Sequence, residues 1–363
     1  MSLTIDISGV PADRVLFAAS PLAELTAALH VLSAPAHHPG FQGWAAGTRA
    51  ALKADMAERL DEMEFLWRSS RADFLLPGRP GASLEEELDD VDQIPDEAYV
   101  HTALTTTCGN DRLLFGKPSP LEDPRSRERA LDLAEARGPR QAAFAQRLID
   151  DPPVVRARVR TTLEECGPAF FTGAWRRIGP RLAADLRLKA DLLARRGLAE
   201  ALTGVSPAVR LDPTDQRIII DKLQDNTTSA LGRPVAVVPT VFGHPHLVTV
   251  HAPGWRPVVQ YPIAAAASDA GPAIPMDLVQ SRIQALAHPV RMRLIRTLAR
   301  GAHTTSELAS TWQLSAPEVS RHLARLRAAG LLTTRRRGRY VLYELDLPAT
   351  ASIGTDLIEA LLR

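Results

Sequence analysis

LSAPEVSRHLARLRAAGLL, residues 314–332, is the stretch that decides the fold. Ser315 followed three residues later by Glu318 is a capping box that opens a helix. Val319, Leu323 and Leu326 recur at helical spacing and give the helix one apolar face, and Gly330 stops it as a C′ residue. Upstream, Thr304-x-x-Glu307 is a second capping box, opening a short helix that contains Leu308; Trp312-Gln313-Leu314 is the turn between the two helices. Before that, Pro289 starts a helix whose Val290, Leu294 and Leu298 share a face. Arg291, Arg293, Arg296 and Arg300 surround that face, and Gly301 ends the helix. Downstream, residues 331–335 and 339–345 read as strands flanking Arg336-Arg337-Gly338. Two short helices around a tight turn, followed by a hairpin with an arginine tip, predict a winged helix-turn-helix.

That motif has a physical target. The major groove of DNA admits one helix, whose N-terminal side chains reach base edges. Arginines on a wing neutralise phosphates and enter the adjacent minor groove. The cluster Arg335, Arg336, Arg337 and Arg339 on a tight turn repels itself and calls for an anionic partner. Charge is divided along the chain accordingly. Of 363 residues, 43 are Lys or Arg and 42 Asp or Glu, for a net charge of +1. Residues 276–363 hold 13 arginines, no lysine and 7 acids, a balance of +6, which leaves −5 on residues 1–275. A basic module joined to an acidic one suggests nucleic-acid contact by one part only.

LAHPVRMRLIRTLARG (286–301), SELA (306–309), residues 314–332 and RRRGRYVLYEL (335–345) resemble the ArsR-type family of bacterial winged-helix regulators, named for arsenical-resistance repressors. The shared features are the Ala-His-Pro-x-Arg start, the Val-Ser-x-His-Leu recognition helix and the Ala-Gly-Leu segment leading into the wing. The resemblance covers about 70 residues. It implies a homodimer, with residues 278–287 and 352–362 packing across a two-fold axis, and an inverted-repeat operator in double-stranded DNA. By position, Ser315, Pro317, Glu318, Ser320, Arg321 and His322 face the groove, although Glu318 also fits as a cap alone. Arg325, Arg335, Arg336, Arg337 and Arg339 contact phosphate. Thiolate metal sensors of this family carry cysteine before the turn. Here residues 301–308 include none, so soft-metal coordination at that place is excluded, and His303 reads as an ordinary solvent-facing residue.

The remaining 275 residues are then the natural source of a signal. Residues 3–7 alternate as a short strand. Ser20-Pro21 opens a helix carrying Leu22, Leu25, Leu29 and Leu32, and further helices are expected over about 44–69, 96–106, 126–148 and 153–202. The acidic run 85–90 reads as a solvated helix face. Residues 218–220, 235–238, 247–250 and 258–261 are β-branched runs, read as three or four strands. The expected fold is mainly α with small β elements: a helical N-terminal domain with a short-stranded sheet (1–263), a linker (264–275) and the winged helix (276–363). VLFAASPLAELTAALHVL (15–32), FLLPGRP (74–80), RPVAVVPTVFGHPH (233–246) and VVQYP (258–262) resemble an uncharacterised domain that accompanies ArsR-type winged helices, and no function comes with it.

No nucleophile elbow, phosphate loop or dinucleotide fingerprint is present, so no catalytic residue and no cofactor is assigned and an enzyme is not expected. His244, His246 and His251 have a strand-face spacing that suits a metal, but Pro245 interrupts it; they read as loop histidines, and no metal site is assigned. Cys108 and His101 lie two helical turns apart, which does not imply a dyad, and Cys166 reads as core. The lone cysteines fit a reducing cytoplasm, and no run is long enough to span a membrane. Trp44, Trp67, Phe74, Phe171, Trp175 and Trp255 are either core or the lining of a cavity for an apolar effector. The function these readings support is a ligand-responsive transcriptional regulator, by family habit a repressor, whose N-terminal domain senses a small molecule. The alternatives are an enzyme, or a protein-interaction domain docking through the acidic 85–92 region, with the winged helix serving as tether or dimerisation device.

Overall fold

In this computed structural model the structure describes residues 2–68, 70–108, 118–212, 214, 216–221, 225–263, 274–299, 301–337 and 340–362. Residues 264–273 of the expected linker, Arg300, Gly338 and Arg339 lie outside them. The chain forms two compact units, Met1–Ala265 and Ala266–Arg363.

Among the described residues of the first unit, eight strands make two four-stranded sheets: β1 (Ser2–Asp6), β2 (Val15–Phe17), β3 (Val209–Asp212), β4 (Arg217–Asp221), β5 (Asn226–Ser229), β6 (Val235–Thr240), β7 (Val248–Val250) and β8 (Val258–Pro262). One sheet runs β3-β4-β1-β5, with Leu3 opposite Ile220 and Ile5 opposite Ile218. Those four residues are buried while Thr4 and Arg217 are not, the period-two alternation of a half-buried sheet. The other sheet runs β2-β6-β8-β7, with β2, β6 and β8 parallel. β6 (VAVVPT) is buried along its whole length, as a parallel strand covered on both faces must be. Only one short-stranded sheet is legible in the sequence, because β3 (VRLD) and β5 (NTTS) are four residues each, too short for a period to show, and β5 has no apolar residue.

The helices are α1 (Pro21–Ser33), α2 (Gln42–Ala51), α3 (Ala54–Met63), α4 (Leu84–Asp92), α5 (Asp96–Thr107), α6 (Pro124–Glu135), α7 (Pro139–Asp150), α8 (Pro152–Cys166) and α9 (Thr172–Thr203). Ser20 caps α1 as expected, its hydroxyl accepting from the Ala23 amide at 3.0 Å. The single helix expected over 44–69 is broken, because Leu52 and Lys53 are extended between α2 and α3. The one expected over 126–148 is split where Gly138, at φ +145°, turns the chain. α8 and α9 are joined through a π-helical turn, Gly167–Phe171, and α9 is interrupted at Gly197. The acidic helix α4 is not simply solvated. Glu87 is buried, and its carboxylate accepts from the Leu22 amide at 2.6 Å, the Ser20 hydroxyl at 3.0 Å and the Gly81 amide at 3.0 Å. Burial raises its pKa to about 7. Asp89 and Asp92 face Arg160 of α8.

The second unit comprises α10 (Met276–Leu286), α11 (Pro289–Leu298), α12 (Thr305–Trp312), α13 (Ala316–Ala328), β9 (Leu332–Arg337), β10 (Tyr340–Leu345), α14 (Leu347–Ala351) and α15 (Ile353–Leu362). Leu294, Leu298, Leu308, Val319, Leu323, Leu326 and Leu331 form its buried centre. β9 and β10 pair antiparallel, Arg335 opposite Leu342. His303 exchanges both backbone bonds with Tyr343, at 2.9 and 2.8 Å, and so adds a one-residue third strand to the wing. It is therefore half-buried and structural, with Nδ1 2.8 Å from the Gly301 carbonyl, and not the plain solvent-facing residue expected.

Candidate nucleic-acid interface and a buried histidine cluster

The turn between α12 and α13 is made by Gln313, which takes left-handed φ/ψ (52°, 44°). At Thr304 the full capping box forms: the Thr304 hydroxyl accepts from the Glu307 amide and the Glu307 carboxylate accepts from the Thr304 amide at 2.7 Å. At Ser315 one half is present, the hydroxyl accepting from the Glu318 amide at 3.3 Å. Burying Val319, Leu323 and Leu326 turns the opposite face of α13 outward. Ser315, Pro317, Ser320, Arg321 and Arg325 are exposed there, and Glu318 and His322 half-buried. The ring of His322 lies 4.8 Å from that of His288, centroid to centroid. Burial, then the neighbouring His288 and Arg291, lowers the His322 pKa. Arg335 and Arg336 are exposed on β9. Arg337 ends that strand opposite Tyr340, and its side chain, like Arg339, lies outside the described residues. The structure thus gathers the sequence-expected groove residues on one helix face and two of the wing arginines on one hairpin.

The flanking helices α10 and α15 pack together, tied by Arg282 Nη1 to Asp356 Oδ2 at 2.7 Å. Ile283 on α10 and Ile358 and Leu361 on α15 remain exposed, at 39, 38 and 53%.

The six aromatics read as core or cavity lining are spread over separate packing contacts among the described residues. Trp67, Phe74 and Phe171 are buried. Trp67 Nε1 donates to the Ser33 hydroxyl at 3.0 Å, and Phe74 stacks on Tyr99 with centroids 4.4 Å apart. Trp175 packs on Phe171, Trp44 lies 4.5 Å from Phe242, and Trp255 covers a small apolar cluster with Val250 and Val258. A cleft of about 200 Å³ between α3, α7 and α8, lined by Glu62, Met63, Phe144 and Arg147, contains none of them. Both thiols are buried and pushed up to about 12, chiefly by desolvation, so neither is poised as a nucleophile. No helix among the described residues is long and apolar enough to cross a membrane.

Sequence reasoning passed over a cluster on the loop that leaves the carboxyl end of β6. Glu24 of α1 holds that loop: its Oε1 accepts from the amides of Val241 and Phe242, each at 2.9 Å. The loop brings His246 against the end of α1 and the turns after it. His30 Nε2 lies 3.3 Å from His246 Nε2, and the His38 ring is 4.9 Å from each of those two rings. One ring nitrogen from each of His30, His37 and His246 lies within 4.8 Å of the others. His30 Nδ1 donates to the Trp67 carbonyl at 3.0 Å and His38 Nδ1 to the His244 carbonyl at 2.6 Å. Burial above all, and then the cation of Arg71, lowers His30 to about 2; burial likewise lowers His38 to about 4. Arg71 is itself buried and bonded to Gln260 of β8. Four histidines scattered over 216 positions carry no spacing signal, so only the fold could reveal them.

The model of a family described as "Family of unknown function (DUF5937)" matches residues 1–267, and a "Helix-turn-helix domain" model matches residues 286–335. The chain is 38% identical over 79 residues to the Biofilm growth-associated repressor of Agrobacterium fabrum, covering 22% of this chain and 64% of that protein. It is 46% identical over 61 residues to the Arsenic resistance transcriptional regulator ArsR1 of Pseudomonas putida, covering 16% and 48%. It is 36% identical over 91 residues to the HTH-type transcriptional repressor SmtB of Mycobacterium tuberculosis, covering 23% and 67%. The chain thus spans about half to two thirds of these relatives. Among solved structures, HlyU from Vibrio cholerae matches at 30% identity with a TM-score of 0.20, over 22% of this chain and 87% of that one. The carboxyl-terminal module is of the ArsR type that its recognition-helix sequence resembles.

Proposed function

The chain belongs, across residues 1–267, to a family of unknown function (DUF5937), and we propose from its second unit that it is a DNA-binding transcriptional regulator, acting in the cytoplasm as a repressor. The observation that carries this reading is the exposed face of α13, which presents Ser315, Pro317, Ser320 and Arg321 from a helix N-terminus beside the exposed Arg335 and Arg336 of the wing. One helix face sized for the major groove and one cationic hairpin at its flank are the two contacts such a protein needs. Ser320, Arg321 and the half-buried Glu318 and His322 read bases; Arg325 and the wing arginines, Arg337 and Arg339 included, hold phosphate. Two copies associate through α10 and α15, burying Ile283, Ile358 and Leu361, and bind an inverted repeat. The first unit is the sensor, and its ligand shifts the spacing of the two recognition helices by preferring one dimer geometry. Proteins named as repressors among the relatives support this assignment.

The test is fluorescence anisotropy of the full-length chain with its own upstream DNA, titrated with salt and random competitor. Binding that resists competitor and weakens steeply with salt is the expected result. Binding abolished by an equal mass of random DNA would overturn it.

A further inference from the structure

The histidine cluster of the first unit is unused by the regulatory reading, and its geometry is specific. A carbonyl oxygen only accepts, so His30 and His38, each bonded to one through Nδ1, carry their protons there and leave Nε2 as the lone-pair nitrogen, that of His30 directed at His246. Carbonyl-anchored imidazoles of this kind are how metal-binding histidines are oriented. A tetrahedral ion with nitrogen ligands at about 2.0–2.1 Å has ligand–ligand edges of about 3.3 Å, and His30 Nε2 to His246 Nε2 is 3.3 Å. His37 Nδ1 is buried with no hydrogen-bond partner, a costly state that an ion relieves.

We propose that His30, His37 and His246 bind one divalent transition-metal ion of the zinc and cobalt class, with the His38 ring packed against those of His30 and His246. Imidazole donors suit such ions, whereas magnesium and calcium demand oxygen. Soft monovalent ions are not favoured, because the two thiols are engaged elsewhere: Cys108 donates to the Ala130 carbonyl and Cys166 to the Thr162 carbonyl. In the metal-free chain His246 Nε2–H donates to His30 Nε2. On binding, each nitrogen gives its lone pair to the ion, and half-exposed His246 changes tautomer, its proton passing from Nε2 to Nδ1 through solvent. Arg71, whose charge bears on His30 and His38, opposes the incoming dication. Buried Glu24 acts on Arg71 with the opposite sign, and burial raises the pKa of Glu24 itself. His37 and His246 are half-buried and mark the side from which an ion enters. The site stands whether or not the second unit binds DNA.

The experiment titrates the metal-stripped full-length chain with Co2+, followed by visible ligand-field absorption, and then with Zn2+. One Co2+ per chain with a tetrahedral band, displaced by one Zn2+ and lost in His37→Asn and in His246→Asn, is the expected result. Circular dichroism of both variants checks that they fold. No band, or a band of the same intensity in both folded variants, overturns the proposal. A second readout needs no substitution: diethyl pyrocarbonate modifies His37 in the free chain, mapped by mass spectrometry, and Co2+ protects it. Equal modification with and without Co2+ overturns the proposal as well.

Discussion

Arg282 and Asp356, 74 positions apart, form an ion pair at 2.7 Å with side chains only 8 and 13% exposed. The pair joins the first and last long helices of the winged unit, and the Ser352 hydroxyl donates to the same carboxylate oxygen at 2.8 Å. Replacing Asp356 by Ala leaves the guanidinium buried beside the Ala329 carbonyl with no anion. Breaking a buried pair this way costs about 3–5 kcal/mol. Calorimetry of Asp356→Ala should show the winged unit's transition moving down by many degrees while that of the first unit stays in place. An unshifted transition would mean that the pair is solvated in solution.

On the proposed DNA-binding reading, Arg321 and Arg335 separate two kinds of contact. Arg321 projects from the groove face of α13, and Arg335 from the wing. Arg321→Ala should relax sequence preference, with a loss of about 1–3 kcal/mol on the preferred site and little on random DNA. Arg335→Ala should weaken both alike and reduce the salt slope by about one. Anisotropy at several salt concentrations reads both. Equal loss of specificity from the two substitutions would contradict this division.

The winged unit was legible because each of its signals is local. Thr304 with Glu307, Ser315 with Glu318, Gly330 after Leu326, and the spacing of Val319, Leu323 and Leu326 all act within a few residues of one another. The exception within it is His303, whose half-burial depends on Tyr343, forty positions away. In the first unit the helices α1 and α5 and strands β4, β6 and β8 were readable from apolar period. The break at Leu52-Lys53 and the burial of Glu87 were not, since both are imposed by tertiary packing on residues whose own pattern favours a continuous solvated helix. The histidine cluster was least legible of all: His246 reads as a loop residue until β6 and α1 place it beside His30.

On the proposed DNA-binding reading, His322 gives the complex a pH dependence whose sign follows from its surroundings. In the free chain its pKa is held below the ordinary 6.5 by burial first and then by His288 and Arg291, so at neutral pH the ring is uncharged. In the groove, where the proposed reading puts it, the negative potential of the DNA favours the charged form, so the bound pKa lies above the free one. Binding then takes up a proton, and affinity rises as pH falls through the interval between the two values. The expected gain from pH 7.5 to 6 is severalfold, and His322→Gln should flatten it. Titrations of the wild type and this variant over that range decide it; a wild type whose affinity is flat or falls would place His322 outside the groove.

Gly243 is required by the loop that carries His246. A Cβ at this position would lie 2.4 Å from Thr240 Cγ2 and 2.9 Å from Thr240 Oγ1, and that hydroxyl already accepts from the Gly243 amide at 2.9 Å. Gly243→Ala must therefore displace either the loop or the end of β6, at a cost of about 1–3 kcal/mol. Thr240→Ser removes the clashing methyl and keeps the accepting oxygen. The double variant should recover at least about 0.5 kcal/mol relative to the sum of the single effects, as contacting residues do. Urea denaturation of the four chains measures the cycle. Additive effects would show that the strain of the added methyl is relieved somewhere other than at Thr240.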